Sequence, residues 1–188
     1  NNKNKKKIVS YIDSGYGLHP DFALKSHINK EFDLKNYSKK INLLFKILKK
    51  MGYKIYFLAN PKVHSKNQKI YKNCKIIYEK PLECIRKSDL VISTNSSIID
   101  YAVLYNKKIL QIYSKEIESY PIVNRNNSFS KFFEHKTLDI GKLESKVQIL
   151  DKIMYPNKKY KLYEDMFIRC KNSKKISYVN LIKKLLNE

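Results

Sequence analysis

The sequence predicts an α/β fold, a parallel sheet flanked by helices, and three observations carry that expectation. Short apolar runs recur along the chain, at 8–13 (IVSYID), 53–59 (YKIYFLA), 74–78 (CKIIY), 89–93 (DLVIS) and 108–114 (KILQIYS). Each is too short to be a helix core and too continuous to have one face in water, so each reads as a strand buried on both faces. Amphipathic or capped segments separate most of them, and strands alternating with helices imply right-handed crossovers.

The first strand leads into SGYGLHPDF, a loop that holds two of the four glycines. From Asn36 to Met51, Tyr37, Ile41, Leu44, Phe45 and Leu48 recur at helical spacing, Lys fills the opposite face, and Gly52 is the stop. The second strand closes on Asn60-Pro61, and 62–72 is a polar loop with one short helix. Pro81 sits where the first turn of a helix tolerates it, so PLECIRKS is a short helix before the fourth strand. A helix over 97–105 and the fifth strand follow. Beyond Tyr120 the pattern weakens: 124–130 reads as a loop, 137–140 as a last short strand, and 142–155 and 160–187 as helices, the latter interrupted near Asn172. The domain reading is a basic disordered lead over 1–7, a Rossmann-like domain over 8–141, and C-terminal helices over 142–188 packed on it.

At 188 residues the chain has one ordinary core. Hydrophobic residues make up 43%, which disfavours disorder, and 39 basic against 17 acidic residues leave a net charge of +22 on the surface. Only Arg86, Arg125 and Arg169 are arginines. Specific readers of bases and phosphates lean on the arginine fork, so no specific nucleic-acid partner is expected. The charge reads as a solvated surface, with anionic lipid or phosphorylated substrate as alternatives. Cys74, Cys84 and Cys170 have no paired spacing, which gives neither a zinc nor a disulfide pattern and fits a reducing cytosol. No apolar run approaches a membrane span.

In parallel sheets ligands bind beyond the carboxyl ends of the strands. Three polar loops are expected to converge there: 14–22, 60–65 and 94–97. In the third, Thr94, Asn95, Ser96 and Ser97 precede a helix that Ser96 or Ser97 is expected to cap, and its first-turn amides suit a phosphate. Asp100, one turn in, either accepts sugar hydroxyls or favours the helix dipole. Asn60, Pro61 and Lys62 face the same crevice, Lys62 toward phosphate. In the first loop, Ser14 and Gly15 are placed with the phosphate site, Gly15 and Gly17 allowing close backbone approach. Asp13, His19 and Asp21 are the acid–base candidates, with no spacing that defines a pair. Lys87 and Asp89, at the entry end of the fourth strand, belong away from this crevice. The loop matches neither a dinucleotide fingerprint nor a P-loop, and no metal-ligand set appears; His64 and His135 read as solvated or capping residues.

Taken in order, GYGLHPDF, NYSKKINLLFKILKKMGYKIYFLANPK and CKIIYEKPLECIRKSDLVISTNSSIIDYAVLYNKKILQIYSKEI resemble the C-terminal half of bacterial glycosyltransferases that build capsule and surface polysaccharides, over 8–117. That group includes sialyl-, polysialyl- and Kdo-type transferases of the two-domain GT-B architecture. The resemblance implies a Rossmann-like domain that binds a nucleotide sugar, here a CMP-linked one, through a His-Pro motif and a Ser/Thr motif. Ser96 and Ser97 fall on the second motif, with Thr94 and Asn95 beside them. Asn60-Pro61 falls on the first, with an amide in place of the histidine. His19-Pro20 lies in the first loop and is not that motif.

The resemblance also implies a separate N-terminal domain that carries the general base and the glycan or lipid-linked acceptor. This chain alone is then expected to bind nucleotide and transfer little. No cofactor or metal is implied, and the setting is cytoplasmic, peripheral to the anionic inner face of the inner membrane. A sugar-nucleotide epimerase or polymer transferase of the same architecture, and a non-enzymatic module that binds nucleic acid or a membrane surface, remain as alternatives.

Overall fold

The computed structural model describes residues 6–16, 18, 32–63, 68–94, 96–118 and 123–169, of which 123–127 are described by backbone alone. Among them run strands β1 (Lys7–Ile12), β2 (Tyr53–Leu58), β3 (Lys75–Ile77), β4 (Leu90–Ser93), β5 (Lys108–Tyr113) and β6 (Leu138–Asp139). They form a single six-stranded sheet in the order β3-β2-β1-β4-β5-β6, and each neighbouring pair is parallel. This is the Rossmann-like sheet that the sequence predicts.

The register is set by burial on two faces. Val9 and Tyr11 of β1 face one side with Ile55 and Phe57 of β2 and Leu90 and Ile92 of β4. Helix α1 (Leu34–Lys50) covers that side with Tyr37, Ile41, Leu44, Phe45 and Leu48, all at most 2% exposed. At roughly 1.5–3 kcal/mol for each buried large apolar side chain, this stripe holds the helix down despite its lysine-rich outer face. Asp33 caps α1 by accepting from the Asn36 amide at 2.8 Å, and Gly52 ends the turn at φ +86°. Tyr11 stacks on Phe57 at 5.2 Å, and Phe57 on Tyr71 at 4.5 Å. Burial and neighbouring ring hydroxyls push the Tyr11 and Tyr37 hydroxyls well above the ordinary tyrosine range, so both stay neutral and share one hydrogen bond of 3.2 Å.

Ile12, Leu58, Val91 and Ile109 face the other side. They meet α2 (Pro81–Lys87), α3 (Ile99–Leu104), α4 (Val123–Phe133) and α6 (Lys158–Tyr163) through Ile85, Ala102, Val103, Phe129, Phe133, Tyr160 and Tyr163.

Four expectations are corrected here. Residues 124–130 lie within helix α4, because Phe129 and Phe133 pack against Tyr163 and Tyr160, which outweighs the poor helix propensity of the asparagines. The helix expected over 142–155 shrinks to α5 (Lys146–Leu150), since Met154 leaves it to exchange two backbone hydrogen bonds with Ile109, at 2.8 and 2.9 Å. The last described helix starts at Lys158 and continues as a π turn over Glu164–Ile168. Lys7, assigned to the lead, opens β1. Residues 1–5 of that lead, the helical expectation beyond Arg169, and Cys170 lie outside the described residues.

Candidate functional site

With β1 flanked by β2 on one side and β4 on the other, the connections run outward in opposite directions from the β1–β4 pair. In sheets of this topology the ligand crevice is the place where they diverge, which is here the carboxyl ends of β1 and β4. Ser14 follows β1 and Thr94 follows β4, and their hydroxyl oxygens lie 2.8 Å apart across it. Thr94 is buried at 1% exposure and Ser14 is half-buried, so the pair sits at the base of the loops that follow the two strands. Beside them the fully buried Ser93 hydroxyl has no hydrogen-bond partner among the described residues. Gly15 takes φ +70°, the left-handed conformation that its missing side chain permits.

Asp13 ties the first loop to the second. Its carboxylate accepts from the Gly15 amide at 2.9 Å and, through the other oxygen, from the Asn60 amide and the Gln68 side chain, both at 3.4 Å. Those contacts make this acid–base candidate a clamp between β1 and β2. Asn60 uses its own side-chain oxygen to accept from the Lys62 amide at 2.9 Å, which fixes the Asn-Pro turn. Pro61 and Lys62 stand exposed at its tip.

The third loop differs in detail from the expected cap. The residue before α3 is Ile98, in helical conformation and with no side-chain cap. Ser96 accepts from the Ile98 amide through its hydroxyl at 3.4 Å and from the Ile99 amide through its carbonyl at 3.1 Å. The Asp100 and Tyr101 amides likewise bond back three residues, to Ser97 and Ile98. Three first-turn amides are thus consumed within a tight turn, and the polar groups presented outward are those of the loop, with Ser97 exposed. Asp100 has a partner within the fold: the Tyr163 hydroxyl donates to it at 3.0 Å.

The structure therefore brings together Ser14 with Thr94 and Asp13 with Asn60, places Lys62, Ser96 and Ser97 on the flanking loops, and turns Asp100 toward α6. His19, Asp21, Asn95, Gly17 and His64 lie outside the described residues. Gln68 went unnoticed in the sequence; a glutamine in a polar loop gives no sign that it will be fully buried between Asp13 and Asn60. Lys87 and Asp89 lie at the opposite edge, where the Asp89 amide donates to Ile8 at the start of β1. His135 bonds the Lys152 carbonyl at 2.9 Å. Among the described residues no group of three His, Cys, Asp or Glu side chains is placed to hold a metal, and no helix is long and apolar enough to cross a membrane.

No family model matches the chain, and none of the curated proteins matches it in sequence. Among solved structures it is similar to the glycosyltransferase SnogD from Streptomyces nogalater, at 14% identity and a TM-score of 0.48 over 79% of this chain and 35% of that one. It is also similar to the E. coli ADP-heptose lps heptosyltransferase II, at 13% identity and a TM-score of 0.36 over 64% of this chain and 37% of that one. The chain thus spans little more than a third of either structure.

Proposed function

We propose that this chain is the donor-binding half of a glycosyltransferase, which holds a nucleotide-activated sugar in the crevice between β1 and β4. The observation that carries this reading is the Ser14–Thr94 hydroxyl pair at the point where strand order reverses, with Ser96 and Ser97 on the loop directly after it. Parallel sheets take nucleotides at this position, and clustered hydroxyls suit a phosphate ester. The family resemblance of the three loops, in the same order, points to a CMP-linked sugar as the donor and a surface-polysaccharide or lipid-linked glycan as the acceptor.

In the reaction proposed, an acceptor hydroxyl attacks the anomeric carbon of the donor and the bond to the nucleotide phosphate breaks. Hydroxyls of the crevice loops stabilise the charge gathering on the departing phosphate, and Lys62 supplies a cation at the rim. Asn60 donates or accepts hydrogen bonds without changing charge near neutral pH, so it orients the nucleotide and moves no proton. The base that deprotonates the acceptor belongs to a second domain, and the chain on its own binds nucleotide in the cytoplasm without appreciable transfer.

The test is a thermal-shift series with CMP, CDP, UDP, GDP and a short DNA duplex at low and moderate salt. Stabilisation by CMP that survives added salt is the expected result. Stabilisation by DNA alone, vanishing with salt, would replace this reading with that of a polyanion-binding module.

A further inference from the structure

At the sheet edge opposite the crevice, an open cavity of about 540 Å³ lies beneath the same strands, lined by Ile8, Arg86, Lys87, Ser88, Asp89 and Lys107. Three cations thus meet one carboxylate, and that carboxylate already accepts from the Ile8 amide at 2.7 Å. The walls are held in place by the fold. Asp89 and Ile8 exchange a second bond of 2.9 Å, and the Ser88 hydroxyl is tied to the Cys84 carbonyl at 2.8 Å and to Ser10 at 2.7 Å. The Lys107 amide donates to Ala102 at 2.8 Å, and its carbonyl accepts from the Tyr160 hydroxyl at the same distance.

Cations at helix C-termini are ordinary complements of the helix dipole, and that accounts for Lys49 and Lys50 of α1 and in part for Arg86 and Lys87 of α2. It does not account for the lysines at the starts of strands. Lys7, Lys54, Lys75 and Lys108 occupy the first or second position of β1, β2, β3 and β5, where strands have little net dipole to complement. Of these, Lys7, Lys54 and Lys108 lie over the rings of Tyr53, Tyr56 and Tyr155 at 6.0, 5.2 and 4.9 Å, so the cations of the cavity itself are Arg86, Lys87 and Lys107. Among the described residues Lys87 has a single, loose counter-ion contact, to Glu83 at 3.8 Å, with both side chains more than half exposed.

We propose that this cavity is a second anion site, separate from the crevice, that takes a phosphate-bearing ligand: a soluble diphosphate or the headgroup of an anionic phospholipid. Arg86 offers a planar fork for two phosphate oxygens, and Lys87 and Lys107 act as point charges on either side of it. The inference does not depend on the donor-binding reading of the crevice.

The test compares the chain with its Arg86→Ala/Lys107→Ala variant in two assays: calorimetric titration with inorganic pyrophosphate, and co-sedimentation with phosphatidylcholine vesicles with and without phosphatidylglycerol. Removal of both cations is expected to weaken binding by about tenfold or more, whereas Arg86→Lys/Lys107→Arg, which keeps the charge, retains most of it. Pyrophosphate binding with this dependence identifies a soluble diphosphate, and binding confined to phosphatidylglycerol vesicles identifies a lipid headgroup. Should the alanine variant lose its cooperative melt, the exposed Lys87→Gln replaces it, with a smaller loss expected. Failure of both probes to bind, or binding undiminished in the folded neutralised variant, overturns the proposal.

Discussion

The hydroxyls of Ser14 and Thr94 meet at 2.8 Å although 80 residues separate them in the chain. Their contact exists because β1 and β4 are adjacent and in register, Ile12 beside Ser93, so the residues just beyond each strand must face one another. A hydroxyl pair in this position can give one proton to the neighbour and still present a donor or acceptor to a ligand, which two apolar groups could not.

Thr94→Val keeps the shape of the buried side chain and removes its hydroxyl. The loss of one net hydrogen bond is expected to cost about 1 kcal/mol of stability. Nucleotide affinity should fall by a larger factor than the shift in melting temperature suggests, because the ligand also loses the oriented Ser14 hydroxyl. Calorimetric titration with CMP beside a urea melt separates the two; an intact affinity in a destabilised variant would make the pair a purely structural link.

Ser97→Ala probes the exposed part of the same loop. Its side chain supports no described cap, so the melting temperature should stay unchanged while nucleotide binding weakens by roughly threefold to tenfold, the range for one polar contact. Affinity and melting temperature both equal to those of the parent would remove Ser97 from the site.

Asp13 makes a different forecast. Replacing it with Ala takes the acceptor from the Gly15 and Asn60 amides and leaves the buried Gln68 side chain with the Asn60 carbonyl in place of two acceptors, at a cost of about 2–3 kcal/mol. Asp13→Asn keeps one acceptor oxygen but turns an amide group toward other donors, so it should fall between the alanine variant and the parent. Urea unfolding of the three proteins gives the order directly. A carboxylate whose main task is proton transfer would instead leave stability nearly unchanged in the asparagine variant.

The parts of the fold legible in the sequence were those written in a single period. The α1 stripe of Tyr37, Ile41, Leu44, Phe45 and Leu48 and the strands of the central sheet have burial patterns that follow their own local sequence, so the parallel order could be argued before any coordinates. Helix α4 was not legible, because its apolar residues cluster toward one end and its asparagines favour turns; Tyr160, Tyr163 and Phe167, some thirty residues on, supply the surface that makes it a helix. That the loops after β1, β2 and β4 meet was legible because parallel topology dictates where they gather. The roles within them were not, since a sequence gives no distance between Asp13 and Gln68 or between Asp100 and Tyr163.

Glu116 should set part of the acid sensitivity. Burial works to raise its carboxyl, but hydrogen bonds from Lys40 at 2.5 Å, from Ser114 and from its own backbone amide outweigh that and hold it below the ordinary range. Asn36 adds a further donor at 2.5 Å, so the carboxylate ties two turns of α1 to the segment after β5. A carboxyl lowered in the folded state stabilises the protein above its unfolded value of about 4.3, and the gain disappears as pH falls through the folded value. About 1 kcal/mol is expected to be lost in that window. Glu116→Gln should flatten the corresponding part of a stability-against-pH curve, whereas a curve parallel to that of the parent would assign the acid transition to other carboxylates.

Cys74 should report on opening of the sheet edge. Burial pushes its thiol up to about 11, and the thiol points to the Tyr71 carbonyl at 3.7 Å. Only the thiolate reacts with iodoacetamide, so at pH 8 its alkylation should run roughly 100-fold slower than that of a free cysteine. Peptide-resolved mass spectrometry follows Cys74 apart from the other two cysteines. In the folded protein the remaining rate should rise with urea well before the global transition, because Cys74 immediately precedes β3, the edge strand of three residues, where local opening is easiest. A rate that stays flat until global unfolding would mean that β3 opens only with the whole sheet, and alkylation at the free rate from the outset would place Cys74 in water.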